Sequence, residues 1–567
     1  MLARSAHARR GLPLGSVIIQ AWPVWLAAIM LIGAAARFWN LSWDRGAFTF
    51  HPDERALNEV ALQLAPNLNP HFFYYGGLPI YLYRGTAEIL QVLTGDPWTA
   101  PAQFTLIGRS YSALAGTATI LLVFVVGRRL WGRAGGLIAA ASQAATALAI
   151  QAAHFGTVDS ALTLAGVMLL WVALHIAAGG HTRWYGLGGV LLGLALATKL
   201  SAASFFILPL VAHGLRVRRG YTRGWSAALG PPLLLAVVAL GTCLLVSPYY
   251  VLAWIELRNA IGEQARELNG GFQAPYTWQF LNRAPYLYEA RNLLVWGLGA
   301  PLGSAVAAGA AWTLVTAARR RSGPLLLLVV WPVLYVAYIG TWEARYIRYL
   351  LPLVPYGCLA AAGALVALMR WLGRIGRPAV WAGRAVTAVV LLGAAGWGLA
   401  LLAVYSRPDT RQAASAWVYA NVPRHSRWLM EEGYQLLPLP DATHPPRWLR
   451  HRLLAVAAPD TPEKIDTLAG QLAWAQWLEI PDRRWSATLP RMARYPLTHH
   501  YYDLLFSGRL GYTPVAVFAS PPALGPFTWN DDAAEETFQV FDHPTVRIFR
   551  NTGAFAKDTL RRLLQEP

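Results

Sequence analysis

Six ionisable residues lie at or near the ends of long apolar runs, where an unmatched charge is costly and therefore informative. Asp53 and Glu54 sit in 50-FHPDERALNEVALQLA-65, and Asp159 in 154-HFGTVDSALTL-164. Lys199 is at the tip between two short apolar runs, and Arg345 and Arg348 lie in 343-EARYIRYLLPLVP-355. A carboxylate can take the proton from an attacking hydroxyl. Lysine and arginine can stabilise a departing phosphate. Each residue also has a plainer role to weigh. First-turn acids such as Asp53 and Glu54 favour the positive end of a helix dipole. Asp159 can cap a helix, and Lys199 can snorkel to an interface. Arg345 and Arg348, three apart on one helical face, can be interface anchors. His154 reads as a packed core or interface histidine rather than a metal ligand.

Elements must position these groups. Pro52 suits the first position of a helix, and Leu57, Val60, Ala61 and Leu64 recur at helical spacing. The two acids then fall in the first turn of a helix lying against an apolar surface, at the mouth of a bundle. With 55% apolar and 14% charged residues, the chain reads as an integral membrane protein. Its 25 Trp and 24 Tyr suit interfacial aromatic belts. The net charge of +19 is carried by arginines in short loops between apolar runs, and no nucleic-acid motif accompanies it. Cys243 and Cys358, the two cysteines, both lie inside apolar runs, which excludes a disulfide framework and a cysteine metal site. The run from Val17 to Ala36 is long enough to span a bilayer, so it is expected as an uncleaved first span rather than a signal peptide.

About eleven spans are expected, at 17–37, 106–127, 135–152, 158–178, 184–197, 201–215, 226–247, 293–317, 324–340, 349–369 and 384–404. The segment 78–93 is interrupted by Arg84, Gly85 and Glu88 and is expected on the membrane surface. Alternate loops hold Arg4, Arg9 and Arg10; Arg128, Arg129 and Arg133; Arg183; Arg216, Arg218, Arg219 and Arg223; Arg319, Arg320 and Arg321; and Arg370, Arg374, Arg377 and Arg384, with no acid among them. The positive-inside rule then puts the N-terminus in the cytoplasm. The loops 38–105 and 248–292, and everything after Tyr405, fall outside. Residues 406–567 read as an extracytoplasmic soluble α/β domain. Helices are expected at 409–422 and 461–474, and strands at 427–431, 452–457, 513–519 and 545–550. The fold class is thus a polytopic α-helical membrane protein, residues 1–405, with a C-terminal α/β domain.

The order of PDE in the first outer loop, then HFGTVDS, ATKLSA and RYLLPLVP, resembles the phospholipid-carrier-dependent glycosyltransferases of the GT-C superfamily. Relatives include protein O-mannosyltransferases and the lipid A aminoarabinose transferase. The resemblance covers roughly residues 17–405, and 410-TRQAASAWVYANVP-423 and 501-YYDLLFSGRLGY-512 resemble a bacterial subgroup. It implies inverting transfer of a sugar from a polyprenyl-phosphate donor to a hydroxyl at the outer face of the plasma (inner) membrane. Asp53 then matches the catalytic acid of the first loop, Glu54 its acidic neighbour, and Asp159 an acidic position of the second outer loop. Lys199, Arg345 and Arg348 form the cationic set for the donor phosphate. One departure stands out: the aminoarabinose transferases carry a Glu-Lys-Pro segment where this chain has 74-YYGGLPIYLY-83.

A transporter or flippase of a lipid-linked saccharide would also need buried charges and a cationic site. Transporters often show paired repeats with helices broken at mid-membrane. This chain shows no such repeat, and its polar residues gather at one face. A membrane-tethered binding protein would leave the PDE stretch without a purpose. The expected partners are the donor lipid, a hydroxyl acceptor and the bilayer, with no nucleic acid. The sequence has no Asp-x-Asp motif and presents no metal ligand set; no cofactor is required by this reading, and a divalent metal stays open.

Overall fold

The structure is a computed structural model that describes residues 21–45, 49–221, 224–271, 274–440, 444 and 448–566. Arg4, Arg9, Arg10 and Arg223, and the first residues of the expected 17–37 span, lie outside the described residues. Among those described, seven helices are long and apolar enough to cross a membrane. Two of the eleven expected spans share one of these, the helix Pro101–Ala145. Gly132, at φ 81°, turns that chain back on itself. Gly127 then lies against Gly136, and Ile120, Phe124, Ala140 and Ala144 form one cluster. The 45 residues are therefore an antiparallel helical hairpin. Trp22–Phe38 and Gly323–Ile339 are apolar helices of 17 residues. The expected fifth span is the 14-residue helix Arg183–Leu196. At 1.5 Å per residue it is about 21 Å long, short of a hydrocarbon core of about 30 Å.

The helix Asp159–Ala177 runs through the centre of the bundle and sets its two ends about 27 Å apart. At the Ala177 end, Arg129 donates to Leu174 O (2.9 Å) and Arg219 to Ala177 O (2.8 Å). Arg216 donates to Gly180 O nearby. The basic loops thus satisfy carbonyls at one end of the bundle. The helix Pro52–Leu62 and the surface helix Gly77–Thr94 cover the Asp159 end. They pack on each other through Leu57, Ala61, Ile80, Tyr83 and Ala87.

Beyond the helix Arg377–Leu402, a five-stranded mixed sheet has the order β2-β1-β3-β7-β4. Its strands are β1 Arg427–Met430, β2 Arg450–Leu453, β3 Trp477–Ile480, β4 Tyr512–Phe518 and β7 Val546–Asn551. β1 is parallel to β2 and β3, whereas β7 is antiparallel to β3 and β4. A separate hairpin pairs β5 Ala523–Leu524 with β6 Phe527–Thr528. The helix Thr410–Asn421 begins at Asp409, whose carboxylate accepts from Arg411 N and Gln412 N. The helical and sheet parts share cores rather than abutting. Ala534 and Phe538 belong to the cluster of the membrane helices, and Trp43, Phe50 and Phe155 to that of the sheet.

Candidate active site

The helix Pro52–Leu62 is placed by what its first turn reaches. His51 caps it, accepting from Asp53 N at 3.2 Å through Nδ1. Burial, and then the charges of Arg348 and Arg109, push the His51 imidazole well below its usual range. The ring is thus held neutral, with Nδ1 free to accept. Phe155 and Phe541 pack on it at centroid distances of 4.8 and 4.3 Å.

Glu54, one residue after Asp53, turns inward and is fully buried. Arg109 meets it at 2.7 Å (Nε–Oε1) and 2.8 Å (Nη2–Oε2). The same guanidinium holds both oxygens of Asp44 at 2.8 and 2.7 Å and the Leu41 carbonyl at 2.7 Å. Gly156 N donates to Glu54 Oε1 at 2.7 Å. This network joins the first loop, the Pro101–Ala145 hairpin and the 154–158 link. The oxygens of Glu54, expected beside Asp53 at the site, are engaged by Arg109 and Gly156, and Glu54 is not among the residues that line the cavity Asp53 faces. Arg109 was not among the candidates, although it is the charged residue inside the apolar run 106–127.

Asp53 faces a cavity of about 830 Å³, which Asp159, Lys199 and Arg348 also line. Arg348 Nη1 is in direct ion-pair contact with Asp53 Oδ2, both side chains being 23% exposed. The guanidinium of Arg348 lies 5.2 and 5.4 Å from the ring centres of Tyr346 and Tyr349. Lys199 Nζ lies 5.1 Å from Tyr349 and 5.4 Å from Tyr75. Asp159 is 5% exposed at the start of its helix. Glu263, Arg266 and Glu267, from the helix Trp254–Leu268, complete the charged lining. Much of the remaining wall is aromatic, and the sheet part contributes Tyr434, Thr537 and Phe541.

Arg345, expected in the cationic set, is placed apart from Lys199 and Arg348. It is 7% exposed, pairs with Glu289 (Nε–Oε1 3.1 Å) and donates to Phe280 O at 3.4 Å, away from the cavity. Arg345 precedes the 3₁₀ stretch Ile347–Leu353 in non-helical chain, across the extended residue Tyr346, so Arg345 and Arg348 do not share a helical face. His154 is fully buried, stacks on Tyr405 at 3.8 Å, and sits 2.8 Å from the Ile150 and Trp39 carbonyls.

Among the described residues no three His, Cys, Asp or Glu side chains are grouped to hold a metal ion. The carboxylates that line the cavity are Asp53, Asp159, Glu263 and Glu267, and Arg348 already occupies the first.

Residues 105–252 match the family model described as dolichyl-phosphate-mannose-protein mannosyltransferase. No curated protein matches the chain. The fold is similar to that of the oligosaccharyltransferase AglB from Archaeoglobus fulgidus, at a TM-score of 0.51 and 14% identity, covering 90% of this chain and 75% of that one. ArnT from Cupriavidus metallidurans, solved with undecaprenyl phosphate, aligns at a TM-score of 0.47 and 17% identity over 93% of this chain and 98% of that one. The chain has the GT-C fold, with a C-terminal sheet domain.

Proposed function

We propose that the chain is an inverting glycosyltransferase that moves a sugar from a polyprenyl-phosphate donor to an acceptor hydroxyl. The observation that carries this reading is the meeting, in one cavity, of Asp53 and Asp159 with Lys199 and Arg348. The arginine already touches the proposed base. In the resting pair, Asp53 is engaged by a cation and not by an acceptor. The donor's phosphodiester offers Arg348 two oxygens for a bidentate, charge-assisted pair of its own, and its arrival releases Asp53.

The step then balances simply. Asp53 takes the proton of the acceptor hydroxyl as its oxygen attacks the anomeric carbon from the face opposite the phosphate. The carbon–oxygen bond to phosphate breaks, and polyprenyl phosphate leaves with the electron pair, held by Lys199 and Arg348. One displacement inverts the centre and needs no covalent enzyme intermediate. Asp159 is positioned to meet the sugar or to orient Lys199. The aromatic wall suits the apolar faces of a sugar ring. In this reading the cavity opens at the extracytoplasmic face of a plasma membrane.

The test is purified protein incubated with radiolabelled polyprenyl-phosphate sugars, with release of free polyprenyl phosphate as the readout. Because two cations already neutralise the phosphate, transfer is expected to persist in excess chelator. No carrier released from any donor tested would favour a transporter, which would move the intact lipid between leaflets.

A further inference from the structure

We propose that the β5–β6 hairpin is a membrane-inserting element, and that the partner it fits is the lipid of the leaflet on the cavity's side. The stretch between Arg509 and Asp531 holds no charged residue. Near its end the hairpin presents Leu524, Phe527 and Trp529 to the outside, at 41%, 66% and 39% exposure. Three exposed apolar side chains on so short an element call for a partner.

The neighbouring helix says which partner. Arg377–Leu402 leads into a run with no charge from Arg384 to Arg407, about 34 Å at 1.5 Å per residue, which matches a hydrocarbon core of about 30 Å. On that helix Val389, Leu392, Gly396 and Leu399 fall on one stripe, and the three with side chains are 64%, 72% and 49% exposed. Leu524 lies on this stripe. A Cβ placed on Gly396 would be 3.8 Å from Leu524 Cδ2. Gly396 is six residues, about 9 Å, inside the Leu402 end of its helix, within the apolar layer. Trp529 meets Trp397 edge to face at 6.0 Å.

The hairpin is hung from the polar boundary. Arg407, the first charge after the run, donates to Pro521 O at 2.7 Å. Backbone donors facing lipid are costly. Pro521, Pro522 and Pro526 bring none, and Trp529 N is spent on Pro522 O at 2.9 Å. The sheet domain would thus hold the bilayer at a second point, beyond its covalent tether.

The experiment uses the full chain in phosphatidylcholine vesicles, with nitroxide labels at Leu524→Cys and, separately, Phe527→Cys. Cys243 and Cys358 are buried, and Arg509→Cys is the exposed control. The ratio of collision with oxygen to collision with a water-soluble nickel chelate is expected to be several-fold higher at 524 and 527 than at 509. Equal ratios, or shielding from both reagents by protein, would overturn the proposal. An unlabelled check compares the wild type with Trp529→Phe in brominated phosphatidylcholine. The variant is expected to lose a quenchable part of the tryptophan emission; an unchanged quenched fraction counts against insertion.

Discussion

Asp53 and Glu54 are neighbours with opposite surroundings. Adjacent residues on a helix point about 100° apart, so one meets the cavity and the other the Arg109 network. The sequence shows two acids and cannot say which faces inward, because that depends on where Arg109 and Gly156 arrive from distant parts of the chain. The arginines divide in the same way. Arg348 and Lys199 face the cavity, whereas Arg345 is matched by Glu289. Lys199→Ala and Arg348→Ala are expected to weaken donor binding and slow transfer, with thermal unfolding near that of the wild type. Arg345→Ala leaves Glu289 buried without its partner, a change that typically costs about 3–5 kcal/mol. It should lower the unfolding temperature while folded protein still binds donor. Binding and unfolding measured on the three variants check this. Unchanged binding in Lys199→Ala and Arg348→Ala would reduce both residues to interface anchors.

Elements with strong periodicity were legible: the long apolar helices, seven of which among the described residues could cross a membrane, the helix carrying Asp53, the helix Pro462–Trp474 and β7. β3 was not, because Trp477–Ile480 follows that helix after two residues and reads as its apolar continuation. The β5–β6 hairpin has two-residue strands, too short for a period. The 531–543 segment was equally silent, yet it fastens the sheet to the bundle. His543 lies buried between Asp531 (2.7 Å) and Asp542 (2.5 Å). Asp542 also receives Tyr405 OH (2.6 Å) and Gln151 Nε2 (3.0 Å). Although burial opposes the charge, the two carboxylates raise the His543 imidazole to about 10. In the unfolded chain it titrates near 6.5. A raised folded value gives stability that is fully present below about 6.5 and is lost as pH rises through about 10. The unfolding temperature is therefore expected to fall between pH 7 and 10. An Asp531→Asn, His543→Gln double variant should lack this part of the fall. Identical pH profiles for the two proteins would contradict the buried imidazolium.

For the whole molecule, composition and the arrangement of arginines gave the membrane class, and the ordered motifs gave the GT-C fold. The shared cores of bundle and sheet were hidden, since they join Phe155 to Phe541 and Gln151 to Asp542 across most of the chain. Orientation is testable by reporter fusions after Arg321 and after Asn551. Opposite compartments are expected, cytoplasmic for the first, and the same compartment for both would end the proposed topology. The central claim is that Asp53 is the base of a sugar transfer, and Asp53→Asn tests it most directly. The amide keeps the side chain's shape and the His51 cap, but cannot take the proton. In a reconstituted transfer assay the variant is expected to bind donor and to be roughly 100- to 10,000-fold slower than the wild type. A folded Asp53→Asn protein that transfers sugar at near the wild-type rate would contradict the account.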